Sequence, residues 1–248
     1  MNRALVEGAA GMAAQQTALD TISSNLANID TPGFRAARPE FTDLIGSSGA
    51  ALGTASASAR TLFIPGRLES TGDEHDLAID GDGFFLVKTR DGRAAYTRAG
   101  NFTPDAHGRL ALPNGATLDG IRLPDGTTRM DVSSDGAVVA HVAGKSAPFR
   151  AGYVHLHAFD DVNSLRQADD GLFYATATAT AEAAADRAGR PGIGGFGRLE
   201  QRYLERANVS VVDEMMSILA AQRAYEANAK TVQAADEMLR LANNLEKG

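Results

Sequence analysis

Cysteine is absent from the 248 residues. That excludes disulfide scaffolds, cysteine-ligated zinc, iron–sulfur clusters and cysteine nucleophiles. Tryptophan is absent too, and aromatic residues make up only 6%, too few to line a sugar groove. No apolar run approaches the roughly 18 residues of a membrane span, because charge or glycine interrupts each one. The start of the chain has no signal-peptide core either: Glu7, Gln15 and Gln16 break the apolar pattern and Asp20 follows. A cytoplasmic chain, or one exported without a cleaved signal, is expected. Positive charge is also in short supply, with 24 Lys+Arg against 31 Asp+Glu and a net charge of −7. Nucleic acids and anionic membranes attract the opposite surplus, so neither nucleic-acid binding nor membrane insertion is expected.

What is present divides into two helical ends and a β-rich middle. Near the start, Leu5, Met12, Leu19 and Leu26 recur every seventh residue, with Ile22 and Ile29 on the intermediate rung. This narrow apolar seam is close to the a/d pattern of a coiled coil. The helix should stop at about Asn28, where Asp30-Thr31-Pro32-Gly33 supplies turn chemistry. At the other end Val211, Ile218, Tyr225, Val232 and Leu239 repeat the seven-residue spacing, with Met215 between them. A helix from about 211 to 244 is expected, capped by Ser210 or Asn208, with Asp213 and Glu214 favouring its dipole.

Between the ends, Asp-Gly recurs at 80–81, 82–83, 91–92, 119–120, 125–126, 135–136 and 170–171. Asp-Gly between short apolar runs is a hairpin signal. Strands are expected at 77–79, 84–88, 95–98, 109–112, 138–142, 153–159 and 172–175. The fold class is therefore α+β: terminal helices forming a coiled-coil domain, and a central antiparallel β-rich domain. The domain boundaries expected are 1–35 with 205–248 for the helical domain, 36–70 for a connecting segment, and 71–204 for the β domain. The Ser/Ala/Gly-rich stretch 46–59 and the stretch 175–197 read as loops. Narrow terminal seams bury little as one pair, so further copies of the chain are a natural cover for the rest.

Catalytic signals are weak. His155 and His157 lie two apart on an expected strand, near Asp160 and Asp161. They read either as a metal site or as a solvated strand face, and no third ligand stands at a telling spacing. Gly81-Asp82-Gly83 precedes a strand rather than a helix, so it lacks a phosphate-binding mechanism. No nucleophile elbow, HExxH or Walker motif occurs. No catalytic, cofactor or metal residues are assigned. The polar residues Asn25, Asn28, Gln222, Arg223, Glu226 and Asn228 share the helical seams. They read either as a solvated face with local ion pairs or as buried groups that set helix register.

Those same residues carry a resemblance. Ser24-Asn25-Leu26-Ala27-Asn28-Ile29-Asp30-Thr31-Pro32-Gly33-Phe34-Arg35 resembles the N-terminal signature of the bacterial flagellar rod and hook proteins, with Ser24 in place of Asn and Arg35 in place of Lys. Ala207-Asn208-Val209 and then Gln222-Arg223-Ala224-Tyr225-Glu226-Ala227-Asn228 resemble the C-terminal signature, Ala207 standing where Ser is usual. Two central blocks, Asp76 to Phe85 and Tyr96 to Phe102, resemble the β-domain motifs of the larger members.

The resemblance implies a structural subunit that catalyses nothing and needs no cofactor. Its length suits the two intermediate rod types, and its terminal motifs favour the distal type. The proximal type is the alternative, because the segment from Phe41 to Asp76 is short for a distal rod protein. Implied partners are other copies of the chain, other rod proteins and the hook protein, the ring proteins of peptidoglycan and outer membrane, and the flagellar type III export apparatus. The implied location is the periplasm-spanning rod of the basal body. Leu5, Met12, Leu19, Ile22, Leu26, Val211, Met215, Ile218, Tyr225, Val232 and Leu239 are then the polymerisation seam. Asn25, Asn28, Asn208, Gln222, Arg223, Glu226 and Asn228 are its motif polar groups, and Pro32, Gly33 and Phe34 form the joint to the outer domain.

Overall fold

The computed structural model describes residues 3–45, 51–145, 147–168, 171–175 and 187–245. The chain divides into two compact units. One comprises residues 1–29, 36–62 and 209–248; the other comprises 30–35 and 63–208.

The first unit contains two long helices, α1 (Arg3–Ala27) and α2 (Val211–Leu245), and a hairpin of β1 (Ala37–Ile45) and β2 (Ala51–Thr61). The helix ends obey local chemistry. After α1 the chain enters the Asp30–Gly33 turn. At the start of α2, Ser210 is the cap: its Oγ accepts from Asp213 N at 3.4 Å and its carbonyl from Glu214 N at 2.9 Å. Asp213 and Glu214 lie in the first turn of α2, at the positive end of the helix dipole.

The helices pack against each other, and the hairpin packs along α1. The face of α1 turned inward is built from small residues. Gly8, Ala14, Ala18, Thr21, Ile22 and Asn25 are its buried members. A Cβ on Gly8 would lie 2.5 Å from a methyl of Val232, and one on Gly11 would lie 2.6 Å from the Asn228 amide. Glycine at both positions is what lets α2 come this close. On α2 the inward residues Glu214, Ile218, Ala221, Ala224, Asn228, Val232 and Ala235 follow three- and four-residue steps, the spacing of one helix face.

The described part of the run expected as a loop at 46–59 is strand, which corrects that reading. β2 pairs antiparallel with β1 in a register from Ala37 opposite Thr61 to Ile45 opposite Ala51, shifting on either side of Asp43. Composition misled because Ser and Ala are poor strand formers. Backbone pairing in a hairpin does not depend on them.

The second unit is β-rich and antiparallel. Its strands are β3 (Leu68–Ser70), β4 (Leu77–Asp80), β5 (Phe84–Lys88), β6 (Ala94–Thr97), β7 (Thr103–Pro104), β8 (Leu110–Ala111), β9 (Thr117–Leu118) and β10 (Thr127–Val132). There follow β11 (Ala137–Val142), β12 (Phe149–Tyr153), β13 (Leu156–Ala158), β14 (Leu165–Gln167), β15 (Leu172–Ala175), β16 (Arg187–Gly189), β17 (Arg198–Gln201) and β18 (Tyr203–Glu205). The main sheet runs β14-β15-β6-β5-β9-β8-β7, with β13 bridging β5 to β16. β10-β11-β12 form a second sheet, and the ribbons β17-β4 and β18-β3 tie the end of the unit to its beginning.

Of the Asp-Gly pairs, 91–92 and 135–136 turn hairpins. Those at 80–81, 82–83, 119–120 and 125–126 do not, because β4 pairs with β17 rather than β5, and β9 pairs with β5 and β8 rather than β10. Asp170 lies outside the described residues. Gly92 closes the turn between β5 and β6 by donating to Thr89 O, and Gly136 closes that between β10 and β11 by donating to Ser133 O. Both glycines have φ near +80 to +90°, the region that costs an L side chain energy. The main core gathers Leu77, Ile79, Phe85, Phe102, Met130 and Leu156 among others, all at or near zero exposure. A smaller cluster of Phe84, Phe159, Leu165 and Phe173 packs with Phe63 and Tyr96. Of the stretch expected as a loop at 175–197, residues 176–186 lie outside the described residues, and 187–189 are strand β16.

Candidate functional site

Three segments remote in sequence meet in the second unit around one carboxylate. Glu205 ends β18 and is buried, as are Arg35, just after the Asp30–Gly33 turn, and Arg98, just after β6. Glu205 Oε1 lies 2.6 Å from Arg35 Nη1 and accepts from Gly66 N at 2.7 Å. Its Oε2 accepts from Arg98 Nη1 at 3.2 Å. Arg98 also donates to the carbonyls of Ile79 at 3.3 Å and Gly81 at 2.7 Å. The Glu205 carbonyl accepts from Gly33 N at 2.7 Å. Burial lowers the Arg98 pKa to about 10, a fall opposed by Glu205 and reinforced by the neighbouring Arg35.

The backbone around this triad is tight. Gly33 has φ +70°, and a Cβ there would lie 2.4 Å from Ala99 N and from the Arg98 carbonyl carbon. Gly66 has no room for a Cβ against Arg206 O, nor Gly100 against Leu77 O. Thr97 is buried; its hydroxyl donates to Gly171 O and accepts from Ala99 N. The motif segments thus converge: Gly33 and Arg35 from one, Arg98 and Gly100 from another. Glu205, two residues before Ala207-Asn208-Val209, closes the set. Nothing in its local sequence marked it, because a lone Glu after a strand carries no pattern.

Of the joint residues, Pro32 is half-buried, while Gly33 and Phe34 are buried. Asn208 donates to Ile64 O at 2.9 Å.

In the first unit Asn25 is buried at 2% exposure. Its Nδ2 donates to Ala37 O at 2.8 Å and to Glu214 Oε1 at 3.1 Å; its Oδ1 accepts from Ala37 N at 2.9 Å. One amide therefore links α1, the start of β1 and the first turn of α2. Asn28 donates to Ser24 O, a local helical contact. Asn228 is half-buried beside Gly11, whereas Gln222, Arg223 and Glu226 are exposed. Leu5, Met12, Leu19 and Leu26 are half-buried and Ile22 is buried. On α2, Ile218 and Val232 are half-buried, and Val211, Met215, Tyr225 and Leu239 are exposed. They belong to a larger exposed apolar group on α2 that includes Val212, Met216, Leu219, Met238 and Leu241.

The histidines do not form a pair. His155 lies outside β13 and is exposed, whereas His157 is inside it, buried against the Tyr96 ring. Their expected common face fails because the strand begins only at Leu156. Among the described residues no group of three His, Asp or Glu side chains is placed to hold a metal.

Comparison with known proteins extends the same picture across the chain. Residues 8–35 match the family described as flagella basal body rod protein. Residues 78–140 match the flagellar hook protein FlgE/F/G D1 domain, and 200–245 match the flagellar basal body rod FlgEFG protein C-terminal family. The flagellar basal-body rod protein FlgG of Borreliella burgdorferi is 36% identical, with all of both chains aligned. FlgG of Bacillus subtilis is 34% identical over the whole of both chains. FlgF of Salmonella typhimurium is 33% identical over 96% of this chain and 95% of its own. Fold, motif positions and full-length similarity together define a structural subunit, not an enzyme. The chain belongs to the family of flagellar basal-body rod proteins.

Proposed function

We propose that this chain is a distal-type subunit of the flagellar rod, polymerising through its terminal helices into a tube that carries torque from motor to hook. The apolar surface left on α2 is the observation that carries this reading. Met216 is 65% exposed, Leu219 56%, Met238 66% and Leu241 64%. Large exposed apolar side chains grouped on one element mark an interaction surface. Full-length similarity to several FlgG proteins at 33–36% identity supports the distal type.

In this reading residues 1–35 and 205–248 act as the polymerisation domain and pair as a coiled coil. Residues 36–70 connect it to an outer β domain at 71–204. Leu5, Met12, Leu19, Ile22 and Leu26 pack with Val211, Met215, Ile218, Tyr225, Val232 and Leu239 of the same and neighbouring copies. The β domain turns within the rings of peptidoglycan and outer membrane. The subunit leaves the cytoplasm through the flagellar type III apparatus. Among the described residues no helix is long and apolar enough to cross a membrane.

Quantitative mass spectrometry of purified hook–basal bodies tests the proposal. Copies well in excess of the other rod subunits support the distal type. A handful of copies supports the proximal or junction type, and complete absence contradicts the rod role.

A further inference from the structure

Beside the ionic triad, in the second unit, lies a cavity of about 220 Å³. Arg35 and Arg98 both line it. Each guanidinium belongs to a side chain at least nine-tenths buried, and each keeps an Nε–H with no hydrogen-bond partner among the described residues. Two buried cations share one carboxylate, Glu205. One positive charge is therefore left without a buried counter-ion, and an unpaired charge in a low-dielectric site is costly.

Aromatic rings supply the apolar part of the lining. Phe63, Phe84 and Phe159 line the cavity, and Arg98 lies 5.3 Å from the centre of the Phe84 ring. Three charges stand at the rim. Arg187 and Asp82 line the opening, and Arg187 pairs with Asp160 at 3.5 Å. All three are exposed, so water and salt screen them far more than the buried pair.

We propose that this cavity is a binding site for a monocarboxylate with a compact apolar body. The carboxylate supplies the second anion that Arg35 and Arg98 lack, and guanidinium groups favour carboxylates through paired N–H donors. The apolar body rests on the phenylalanines. Size agrees: an apolar cavity of about 150 Å³ takes a benzene ring, so 220 Å³ leaves space for a carboxylate as well. A phosphate dianion suits the site less, since one surplus charge is to be balanced and aromatic rings form part of the wall. The carboxylate comes either from a free small acid or from the end of a peptide. The proposal is independent of the rod role and stands or falls without it.

The test uses the full chain and 4-fluorobenzoate, followed by fluorine NMR. Saturable binding is expected, at least tenfold tighter than for 4-fluorobenzyl alcohol. Asp82→Asn removes an exposed negative charge at the rim and should tighten binding about threefold. Val162→Trp fills the cavity from the half-exposed turn at 162–164 and should abolish binding with the triad intact. Acetyl-Gly-Phe with a free C-terminus is the competitor, and its amide the control. Displacement by the free acid alone identifies a peptide terminus as the kind of ligand taken. Failure of both peptides to displace bound fluorobenzoate identifies a free acid. No saturable binding at 10 mM probe, equal affinity for acid and alcohol, or undiminished binding to the Val162→Trp chain overturns the proposal.

Discussion

Arg35 and Glu205 meet at 2.6 Å with both side chains at or below 1% exposure. One follows the first helix and the other closely precedes the second, so this ion pair ties the two ends of the β-rich unit together. Glu205→Ala leaves Arg35 and Arg98 buried without their carboxylate. Breaking a buried pair in this way costs about 3–5 kcal/mol. Urea denaturation of the variant should register that loss. Replacing all three residues together with Met, Met and Leu should recover most of it, because the desolvation cost disappears with the charges.

Gly33 packs beside the same triad through its backbone. Its φ of +70° and its closeness to Ala99 N leave no place for a methyl group. Gly33→Ala should destabilise the protein by more than about 2 kcal/mol, the left-handed conformation alone accounting for about 1–2 kcal/mol. Thermal unfolding of the variant against the parent chain measures this, and an unchanged midpoint would be incompatible with the packing.

Asn25 satisfies both backbone groups of Ala37 and reaches Glu214. Asn25→Ala removes all three bonds. Leaving a buried donor or acceptor unmade costs about 1–3 kcal/mol. The expected signature is local: the Ala37 amide should exchange with solvent faster while amides of the β-rich unit keep their protection.

Asp105 gives a pH signature. Its carboxylate accepts from the backbone N–H groups of His107 and Arg109 and from Arg109 Nε, and its pKa falls to about 2 from the usual 3.8, the Arg109 backbone bond contributing most. A carboxyl held below its unfolded value adds stability that is present above that value and lost as pH falls through the folded one. Asp105→Asn should therefore lower the melting temperature at pH 7. The gap to the parent should shrink between about pH 4 and pH 2 and vanish below. A gap of constant size across that range would contradict the assignment.

Much of the fold is legible in the sequence where local chemistry decides it. The second helix was expected over 211–244 and spans Val211–Leu245, because its cap and first-turn acids are local signals. The hairpin turns at Asp91-Gly92 and Asp135-Gly136 follow for the same reason, whereas Asp80-Gly81 and Asp82-Gly83 mark no hairpin because β4 pairs with the distant β17. Residues decided by distant partners were not legible. Glu205 acquires its role from Arg35 and Arg98, and no spacing along the chain foretells that meeting. The β1–β2 hairpin was hidden by Ser- and Ala-rich composition. The seven-residue spacing marked both helices, but it could not tell which rung turns inward. On α1 the most buried positions include Gly8, Ala14 and Ala18, because small residues permit the closest helix approach.

The exposed apolar residues of α2 are central to the assembly account, and the cysteine-free chain makes them directly measurable. Single variants Leu219→Cys and Met238→Cys would be labelled with a maleimide, first as purified monomer and then within purified hook–basal bodies. Both monomers should label fast, and labelling in the assembled rod should be at least tenfold slower, because neighbouring subunits cover these positions. Equal labelling rates in the two states would contradict it.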